Sequence, residues 1–475
     1  MQQRSGAYEA DLAFDADEPA HAVSSIMVHD YILQGWRGSP IAFAQSFYSH
    51  YPKVAIGHWP PVFFAAEALW MLGAGRSRAA LLFFVALCAA ALACTLYVLV
   101  RRRTSVAAGL ISVAVLVQPR FFREMLMTVH PEMLLALCVL AASVFCGRWV
   151  SKSKGHNGVF FVVWALASLG VNGRGAILLL LPFALLPLRR GAVRWQWILA
   201  GAIILGVILA EPYYTRQTDP LNPMRAAQMA IIFLQQTAHT LHPVTLALAA
   251  AGYALAWRTV VDRVFWCTMA ALLGCGFLFF ILLPALWDDR YLLSVLPAAG
   301  ALAALGAEVG FRRLRRWRSG VKAVAGLLAI AAIIQTAWRM EKKPEHGYKA
   351  FVASGTFRSN GIALVDGDGI SEGGMVVEGC LADSQRQHTV LRGTKLFAYT
   401  SWTGKDYRLL YRSSAEVGGV LERARVSLVA IQVASTRDDA NLLRRTMEER
   451  PLEWKRLPET ATPPGVAVYQ HSPWP

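Results

Sequence analysis

Charged side chains are scarce in this sequence, and acidic ones are the scarcer kind. Only 16% of the 475 residues are Asp, Glu, Lys or Arg, whereas 55% are apolar, and 31 acids stand against 47 Lys and Arg. The apolar residues concentrate between positions 69 and 337, in runs near the roughly 20 residues that a helix needs to cross a bilayer. Because a helix satisfies its own backbone in hydrocarbon, these runs predict a polytopic α-helical membrane protein rather than a soluble one.

The cysteine spacing of a disulfide framework or a zinc site is also missing. Six of the seven Cys lie inside apolar runs, at positions 88, 94, 138, 146, 267 and 275, and only Cys380 lies in a polar region. We interpret them as small apolar packing residues. No secretory signal peptide is recognised, since no apolar segment precedes Asp11.

About ten apolar segments are predicted to span the membrane, and the charges between them predict their orientation. The loops at 101–104, 148–157, 189–195, 258–263 and 309–319 contain most of the Lys and Arg, while the alternate loops contain acids, His and aromatic residues. Basic loops remain in the cytoplasm, so the acid-containing loops are expected outside the plasma (inner) membrane. The net charge of +16 is therefore assigned to topology and membrane lipids rather than to nucleic acid. The predicted spans are residues 78–100, 105–118, 131–147, 158–171, 175–188, 196–211, 243–257, 264–285, 291–308 and 320–338.

Polar segments flank the predicted spans and divide the chain into three parts. Residues 1–77 are expected to form an outward-facing segment with an acidic motif and juxtamembrane helices, residues 78–338 a transmembrane domain, and residues 340–475 a soluble α/β domain outside the cytoplasm. Strand-like runs in the last part include "GIALVDGD", "MVVEG", "HTVLRG", "VSLVAIQV" and "VAVYQ". An outward N-terminal segment without a preceding span is unusual, and whether a first transmembrane helix is missing from this chain does not follow from the sequence.

Side chains that can do chemistry gather at the predicted outer ends of the spans. Taken singly, each also has a structural interpretation, as a solvated acid, a helix cap or an interfacial anchor. The candidates are Asp15, Asp17, Glu18 and His21 in "FDADEPAHAV", His58 in "HWPP", His130 and Glu132 in "TVHPEM", Arg174 in "NGRGA", and Arg290 and Tyr291 in "WDDRY".

As a group, these residues suit the transfer of a sugar from a lipid-linked phosphate. A carboxylate can act as general base toward a hydroxyl or amine, and Arg can stabilise the charge on a departing phosphate. Apolar helices around them would hold the lipid tail. The pattern therefore predicts a membrane glycosyltransferase that uses a polyprenyl-phosphate sugar donor, with a glycan, lipid or protein as acceptor.

The order of the motifs resembles the GT-C superfamily of glycosyltransferases, and in particular the branch of protein O-mannosyltransferases and lipid A aminoarabinose transferases. The resemblance rests on an outward "DE", a Pro-Pro pair before a helix, "HPEMLLAL", "NGRGAILLLLP" and "RYLLSVLPA", in this order over about residues 10–310. The region from Met340 onward has no counterpart in it.

The resemblance implies roles for single residues. It implies that Asp17 is the catalytic base, with Glu18 beside it, and that Glu132 positions the acceptor or the donor. Arg174 and the pair Arg290–Tyr291 are implied to meet the donor phosphate. Two histidines complete the substrate-binding candidates: His58, where relatives often have Lys, and His130.

A metal is the only cofactor that the resemblance brings into question. Some relatives bind a divalent metal near these acids, and Asp17, Glu18, His21 and Glu132 could supply ligands, although their spacing is not specific for one. No other cofactor is expected.

Two functions of other classes stay open. A transporter or flippase for a lipid-linked or anionic solute would place ionisable groups at mid-span and often shows repeated halves, whereas here the acids lie at span ends and no repeat is found. An envelope receptor would use the membrane part as an anchor, for which ten spans are more than it needs. The sugar, the acceptor and the oligomeric state do not follow from the sequence.

Overall fold

A computed structural model describes residues 1–55, 57–152, 154–188, 223–259, 262–282, 288–314, 318–358, 361–399 and 407–472. Over these residues the chain is mostly helical, and a five-stranded sheet lies toward the C-terminal end. The structure thus has the predicted combination of apolar helices and a C-terminal region with both helices and strands.

Fifteen described α-helices precede the C-terminal region that begins at residue 340, and they are numbered here in chain order. The first seven are α1 (Gln2–Ser5), α2 (Glu18–Leu33), α3 (Pro40–His50), α4 (Val62–Ala74), α5 (Arg78–Arg101), α6 (Val106–Val117) and α7 (Arg120–Leu126). The next eight are α8 (Glu132–Lys152), α9 (Gly155–Val171), α10 (Ile177–Ala184), α11 (Pro223–Thr240), α12 (Pro243–Ala256), α13 (Arg263–Leu282), α14 (Leu296–Arg313) and α15 (Arg318–Trp338).

Among the described residues, four helices are long and apolar enough to cross a membrane: α5, α8, and most of α13 and α15. Helices α6 and α7 together pass the same test but bend by 76° at their junction, and α4, α9 and α12 are shorter apolar helices. The predicted count of ten spans stays a prediction, and the predicted span at 196–211 lies outside the described residues. The predicted span 291–308 starts later as an α-helix, because Asp289–Ser294 form a 3-10 turn before α14.

Close packing of α12 against α14 fixes the part of the chain that contains Arg290. A Cβ atom on Gly252 would lie 1.9 Å from the Leu302 carbonyl oxygen, and one on Gly306 would lie 2.3 Å from the Leu248 carbonyl oxygen. Only glycine permits backbones to approach this closely, as is common between membrane helices. Helix α14 is buried along nearly its whole length, so the turn that precedes it is firmly placed.

The C-terminal region is an α/β sheet in the order β2-β1-β5-β7-β6. Strands β1, β2 and β5 are parallel, whereas β7 is antiparallel to β5 and to β6. The strands are β1 (Ile362–Asp366), β2 (Thr389–Arg392), β3 (Ala398–Tyr399), β4 (Arg408–Leu409), β5 (Leu428–Gln432), β6 (Trp454–Arg456) and β7 (Val466–His471). The helices are α16 (Tyr348–Ala353), α17 (Gly355–Arg358), α18 (Gly369–Ala382), α19 (Gly393–Leu396), α20 (Ser414–Arg423) and α21 (Asp438–Glu449).

One strand expected from the sequence is a helix. The run "MVVEG" at 375–379 lies inside α18 and is buried. The helix is started by Asp368, whose side chain accepts a hydrogen bond from the Ser371 N–H at 2.7 Å, as an N-cap does. The prediction was wrong because two consecutive Val residues favour a strand. That preference was given more weight than the N-cap signal of Asp368, seven residues before the run.

Contacts between the N-terminal loop and the C-terminal region hold the two together. Both oxygens of the fully buried Asp11 accept hydrogen bonds from the backbone N–H groups of His346, Gly347 and Lys349, at 2.6 to 2.8 Å. Glu378 of α18 accepts a hydrogen bond from the Leu12 N–H and pairs with Arg78. The loop that contains the acidic motif is therefore fixed by the C-terminal region on one side.

Candidate active site

The acidic loop at 15–17 is shaped by the Asp15 side chain. Asp15 Oδ1 accepts hydrogen bonds from the backbone N–H of Asp17 at 2.9 Å and of Glu18 at 2.8 Å. Helix α2 begins at Glu18 with Pro19 in its first turn, where the missing N–H removes no helical bond. One oxygen of Asp15 thus shapes the turn, and the other is left for partners elsewhere in the chain.

Arg290 lies between three carboxylates. Its Nη1 is 3.3 Å from Asp15 Oδ2, its Nη2 is 2.7 Å from Asp17 Oδ2, and its Nε is 2.9 Å from Asp288 Oδ2. Asp288 Oδ1 also accepts a hydrogen bond from the Arg290 N–H, which caps the 3-10 turn. The Arg290 side chain is only 12% exposed. Each nitrogen of the guanidinium faces an acid, so Arg290 holds both acids of the loop in place.

His130 connects this cluster to Glu132. The His130 Nε2 lies 3.2 Å from Asp15 Oδ2, and the Nδ1 lies 3.3 Å from Arg290 Nη1 and 3.6 Å from Glu132 Oε2. His130 and Glu132 are both buried at the start of α8. The start of an apolar helix therefore meets the acidic loop directly.

Arg174 forms a second ion pair beside the first. Its Nη1 donates a hydrogen bond to Glu132 Oε1 at 3.1 Å, and its guanidinium lies 3.2 Å from the centroid of the Tyr291 ring. Asn172 places the Arg174 backbone by accepting its N–H. The structure thus brings six of the candidate residues into one cluster, with Tyr291 against Arg174: Asp15, Asp17, His130, Glu132, Arg174 and Arg290.

The charges of the cluster set the protonation of its two central groups. Burial alone would raise the pKa of Asp15, but the charges of His130 and Arg290 outweigh it and hold the pKa well below its usual range. Burial opposes a charge on His130, whereas Asp15 and then Glu132 raise the pKa of that imidazole to about 9. At neutral pH this gives a carboxylate beside an imidazolium. A carboxylate with so low a pKa is a weak proton acceptor, which argues against Asp15 as the base.

Several buried polar atoms in the cluster lack a hydrogen bond within the described part of the chain. These atoms are Arg290 Nε, His130 Nε2 and Glu132 Oε2, whose acidic or basic neighbours lie close but outside hydrogen-bond geometry. An unsatisfied buried polar group costs about 1–3 kcal/mol, and native proteins tolerate few. Their presence together indicates a place where a polar ligand or water completes the bonding.

Glu18 takes a different position from its neighbour Asp17. Its carboxylate is fully buried, pairs with the equally buried Lys343 at 2.6 Å, and accepts hydrogen bonds from the backbone N–H of Phe14 and Val129. These three partners come from the loop itself, from the segment before α8 and from the C-terminal region. Glu18 therefore ties the three segments together behind the cluster.

His58 and His21 flank the cluster on its aromatic side. The His21 ring stacks on Trp59 with centroids 4.1 Å apart and lies 5.1 Å from the His130 ring. Burial, and then the charge of His130, hold the pKa of His21 well below its usual value, so its ring is neutral. His58 is half-buried against Trp59, where burial lowers its pKa and the charge of Asp17 opposes that shift. The rings of both histidines thus line the cluster on the side of Trp59, beside the acidic loop.

Sequence reasoning missed Lys343 and Lys53. Lys343 lies in "EKKPEHG" after the last predicted span, 325 residues from Glu18, and nothing local marks it as a partner. Lys53 lies in "YPKVAIG", where its charge was the only signal.

The predicted metal ligands do not form a metal site. Among the described residues no three His, Cys, Asp or Glu side chains are grouped as ion ligands. Asp15 and Asp17 face the Arg290 guanidinium, and Glu18 is held by Lys343. No step of the reaction is therefore derived through a metal.

Comparison with known proteins gives one family model and a set of folds. Residues 58–215, about a third of the chain, match the family model described as dolichyl-phosphate-mannose-protein mannosyltransferase. No curated protein matches the sequence.

Solved structures match over more of the chain. The crystal structure of the Archaeoglobus fulgidus oligosaccharyltransferase in its apo form aligns with a TM-score of 0.52 and 12% identity, over 88% of this chain and 66% of that one. The same enzyme tethered to an acceptor peptide with an NVT sequon aligns with a TM-score of 0.49 and 10% identity, over the same shares. The chain thus spans just under two thirds of the archaeal enzyme's length. Its fold is similar to that of the archaeal oligosaccharyltransferase, and its residues 58–215 are similar to the protein mannosyltransferase family.

Proposed function

We propose that this chain is a membrane glycosyltransferase that moves a sugar from a polyprenyl-phosphate donor to an acceptor at the Arg290 cluster. The observation that carries the proposal is the convergence of three acids, two guanidinium groups and an imidazole at the ends of apolar helices. An acid for the acceptor proton and cations for the donor phosphate are what such a transfer needs. The GT-C fold and the match over 58–215 agree with this class of reaction.

Asp17 is proposed to be the general base. Its side chain is 30% exposed, its Oδ2 is held by Arg290, and the described residues give its Oδ1 no partner. The acceptor oxygen forms a bond to the anomeric carbon as the bond from that carbon to the phosphate oxygen breaks. The electron pair leaves with polyprenyl phosphate, and the acceptor proton passes to Asp17, so the anomeric centre is inverted.

Arg174 is proposed to bind the donor phosphate, and Arg290 to hold the base. All the nitrogens of Arg290 already face carboxylates, whereas Arg174 is 20% exposed and contacts one carboxylate through Nη1 alone. The phosphate gains negative charge as the sugar leaves, and a guanidinium can bind two of its oxygens at once. Glu18, Glu132, His58 and His130 then position these groups around the two substrates.

We infer from the charges of the loops that the cluster lies outside the cytoplasm. The Arg-rich connections indicate the cytoplasmic side, and the acidic loop and "WDDRY" belong to the opposite set of connections. Glu378 of α18 and the backbone of His346 contact the N-terminal segment at Leu12 and Asp11, which supports the same side for the C-terminal region.

The proposal is tested by measuring sugar transfer in vesicles that contain the full chain. A panel of labelled polyprenyl-phosphate sugars is offered to the wild type, to Asp17→Asn and to Asp438→Asn, an exposed acid of α21 that serves as the matched control. We expect turnover of one donor that falls by about 10²–10⁴-fold in Asp17→Asn, the range for loss of a general base. The Asp438→Asn variant should match the wild type.

Two outcomes separate the parts of the proposal. Turnover that survives in Asp17→Asn would keep the reaction class and reject Asp17 as the base. A folded wild type that transfers no sugar from any donor would contradict the enzyme and favour transport of the lipid-linked solute.

A further inference from the structure

The carboxyl ends of the parallel strands lie next to the acidic loop. The chain passes from β1 to β2 on one side and later to β5 on the other, so β1 marks the point where ligands bind in open α/β sheets. Gly369, which follows β1, packs so closely that its Cβ would lie 2.9 Å from the Cβ of Ala16. The sheet edge therefore opens beside the proposed base.

Two cations and one buried carboxylate lie at this edge. Arg392, at the end of β2, donates through Nε to Glu372 Oε2 at 2.7 Å. Its Nη1 donates to the carbonyl of Pro52, the residue before Lys53. Glu372 is fully buried and also accepts hydrogen bonds from the N–H and hydroxyl of Thr394. The positive charges of Arg392 and Lys53 exceed the single negative charge of Glu372, so this cluster has an excess of positive charge.

Lys53 is held in place without an acidic partner in contact. A Cβ on Gly373 would lie 3.0 Å from Lys53 Cε, so the lysine stem crosses α18 at a glycine. Within the described residues its ammonium makes one hydrogen bond, to the Gly369 carbonyl at 3.5 Å. Burial, and then the charge of Arg392, lower the pKa of Lys53 to about 8, against the more distant pull of Asp17 and Asp15.

Arg392 is likewise prepared for another ligand. Its side chain is 14% exposed, and its Nη1 donates to the Pro52 carbonyl at 3.2 Å, next to Lys53 in the chain. These bonds fix the plane of the guanidinium and leave Nη2 free of any partner in the described structure. A fixed guanidinium beside an ammonium matches the oxygens of a phosphate or carboxylate.

We propose that Lys53 and Arg392 bind an anionic group on the acceptor, and that the enzyme selects acceptors with a phosphate or carboxylate near the attacking hydroxyl. This inference rests on the proposed function, because only a glycosyltransferase has an acceptor that could bring the anionic group. The donor is assigned to Arg174, which lies where apolar helices end, whereas this cluster is built by the sheet and the 51–53 segment. The Lys53 ammonium donates to the Gly369 carbonyl, and Gly369 packs against Ala16, the neighbour of Asp17, so the two sites adjoin.

The site is tested by trace acylation of lysines in the full chain in neutral-lipid nanodiscs. The rate at Lys53 is measured by peptide mass spectrometry with sodium chloride, with acetate, or with phenyl phosphate at equal ionic strength, and Lys342 and Lys455 serve as internal references. We expect phenyl phosphate, at a concentration of twice its dissociation constant, to slow the acylation of Lys53 by about threefold. A bound anion favours the protonated ammonium, which is not acylated, and shields it from the reagent. The references should not change.

Variants and a lipid arm complete the design. Arg392→Gln should remove the protection, whereas Arg423→Gln, an exposed arginine of the same region, should keep it. Equal rates in chloride, acetate and phenyl phosphate would overturn the site. Protection only when the nanodiscs contain phosphatidylglycerol would overturn the acceptor assignment in favour of a lipid headgroup.

The labelling needs no turnover, so its failure is distinct from failure of the proposed function. If sugar transfer is found and Lys53 is not protected, the enzyme stands and this site falls. If Lys53 is protected and no sugar is transferred, the anion site stands without its acceptor role.

Discussion

The two ends of helix α14 both contain buried charges, but the charges are arranged in opposite ways. Before its start, Arg290 lies among Asp15, Asp17 and Asp288, and three polar atoms nearby lack hydrogen bonds in the described structure. Near its other end, Glu308 is 2% exposed and receives Lys322 at 2.7 Å, Ser105 at 2.8 Å and Arg312 at 3.3 Å.

The difference separates a structural cluster from the cluster that we propose to be functional. Both carboxylate oxygens of Glu308 are used, and its partners tie α6 and α15 to α14, so nothing is left for a ligand. At the Arg290 end the ion pairs are close and several hydrogen bonds are still unmade. Buried groups left in this state lower stability unless a ligand completes them, which is why they mark sites.

The largest effect is expected from Arg290→Gln, which tests whether the cluster before α14 is needed for activity. The variant leaves three acids without their common cation and releases the base, so we expect kcat to fall by about 10³-fold or more. Sugar transfer is measured together with the unfolding temperature, because loss of a buried charge also destabilises. Arg290→Lys is the matched variant, since it restores the charge but cannot face three carboxylates at once.

The next largest effect is expected from Arg174, the second arginine of the cluster. Arg174→Gln should raise KM for the donor by about 10–100-fold, the loss of a hydrogen bond to a charged group, with a smaller change in kcat. A fall in kcat alone would contradict the assignment of Arg174 to donor binding and return the phosphate to Arg290.

A smaller effect is expected from pH, because His130 is protonated only where the negative charges of Asp15 and Glu132 stabilise its imidazolium. Its pKa in the folded chain is raised to about 9, above the usual value near 6.5. The resulting stabilisation is complete below about pH 6.5 and is lost as pH rises through about 9, and it amounts to about 3 kcal/mol. The difference in unfolding temperature between the wild type and His130→Gln should shrink across this window, because groups other than His130 titrate equally in both. A difference that does not change with pH would show that the ring is neutral.

Local patterns explain why the helices were predictable, whereas the cluster was predicted through a family resemblance. Apolar runs and their basic loops are properties of single segments, and helices such as α5 and α8 are seen close to their predicted bounds. The cluster was predicted from the order of "DE", "HPE", "NGRG" and "DRY" through a family resemblance, because no spacing in the sequence says that Asp17 meets Arg290, 273 residues away.

Other features could not be predicted because they depend on contacts between distant polar segments. Glu18 stood beside Asp17 in the sequence as the second candidate for the base, and only the buried Lys343 shows that it is enclosed. The same holds for Arg392, which contacts the residue before Lys53 by donating to the Pro52 carbonyl. A charged residue in a loop has no periodicity that would indicate its partner.

The smallest effect on activity is expected from Glu308→Gln, at the structural end of α14. Losing one acceptor charge beside Lys322 should reduce the free energy of unfolding by about 1–2 kcal/mol and leave sugar transfer within about twofold of the wild type. A double variant, Glu308→Gln with Lys322→Met, should recover part of the stability, because it also removes the unpaired ammonium. Thermal unfolding and transfer assays on the same preparations measure both quantities. If turnover fell as far as in Arg290→Gln, satisfied hydrogen bonds would not distinguish a structural cluster from a functional one in this protein.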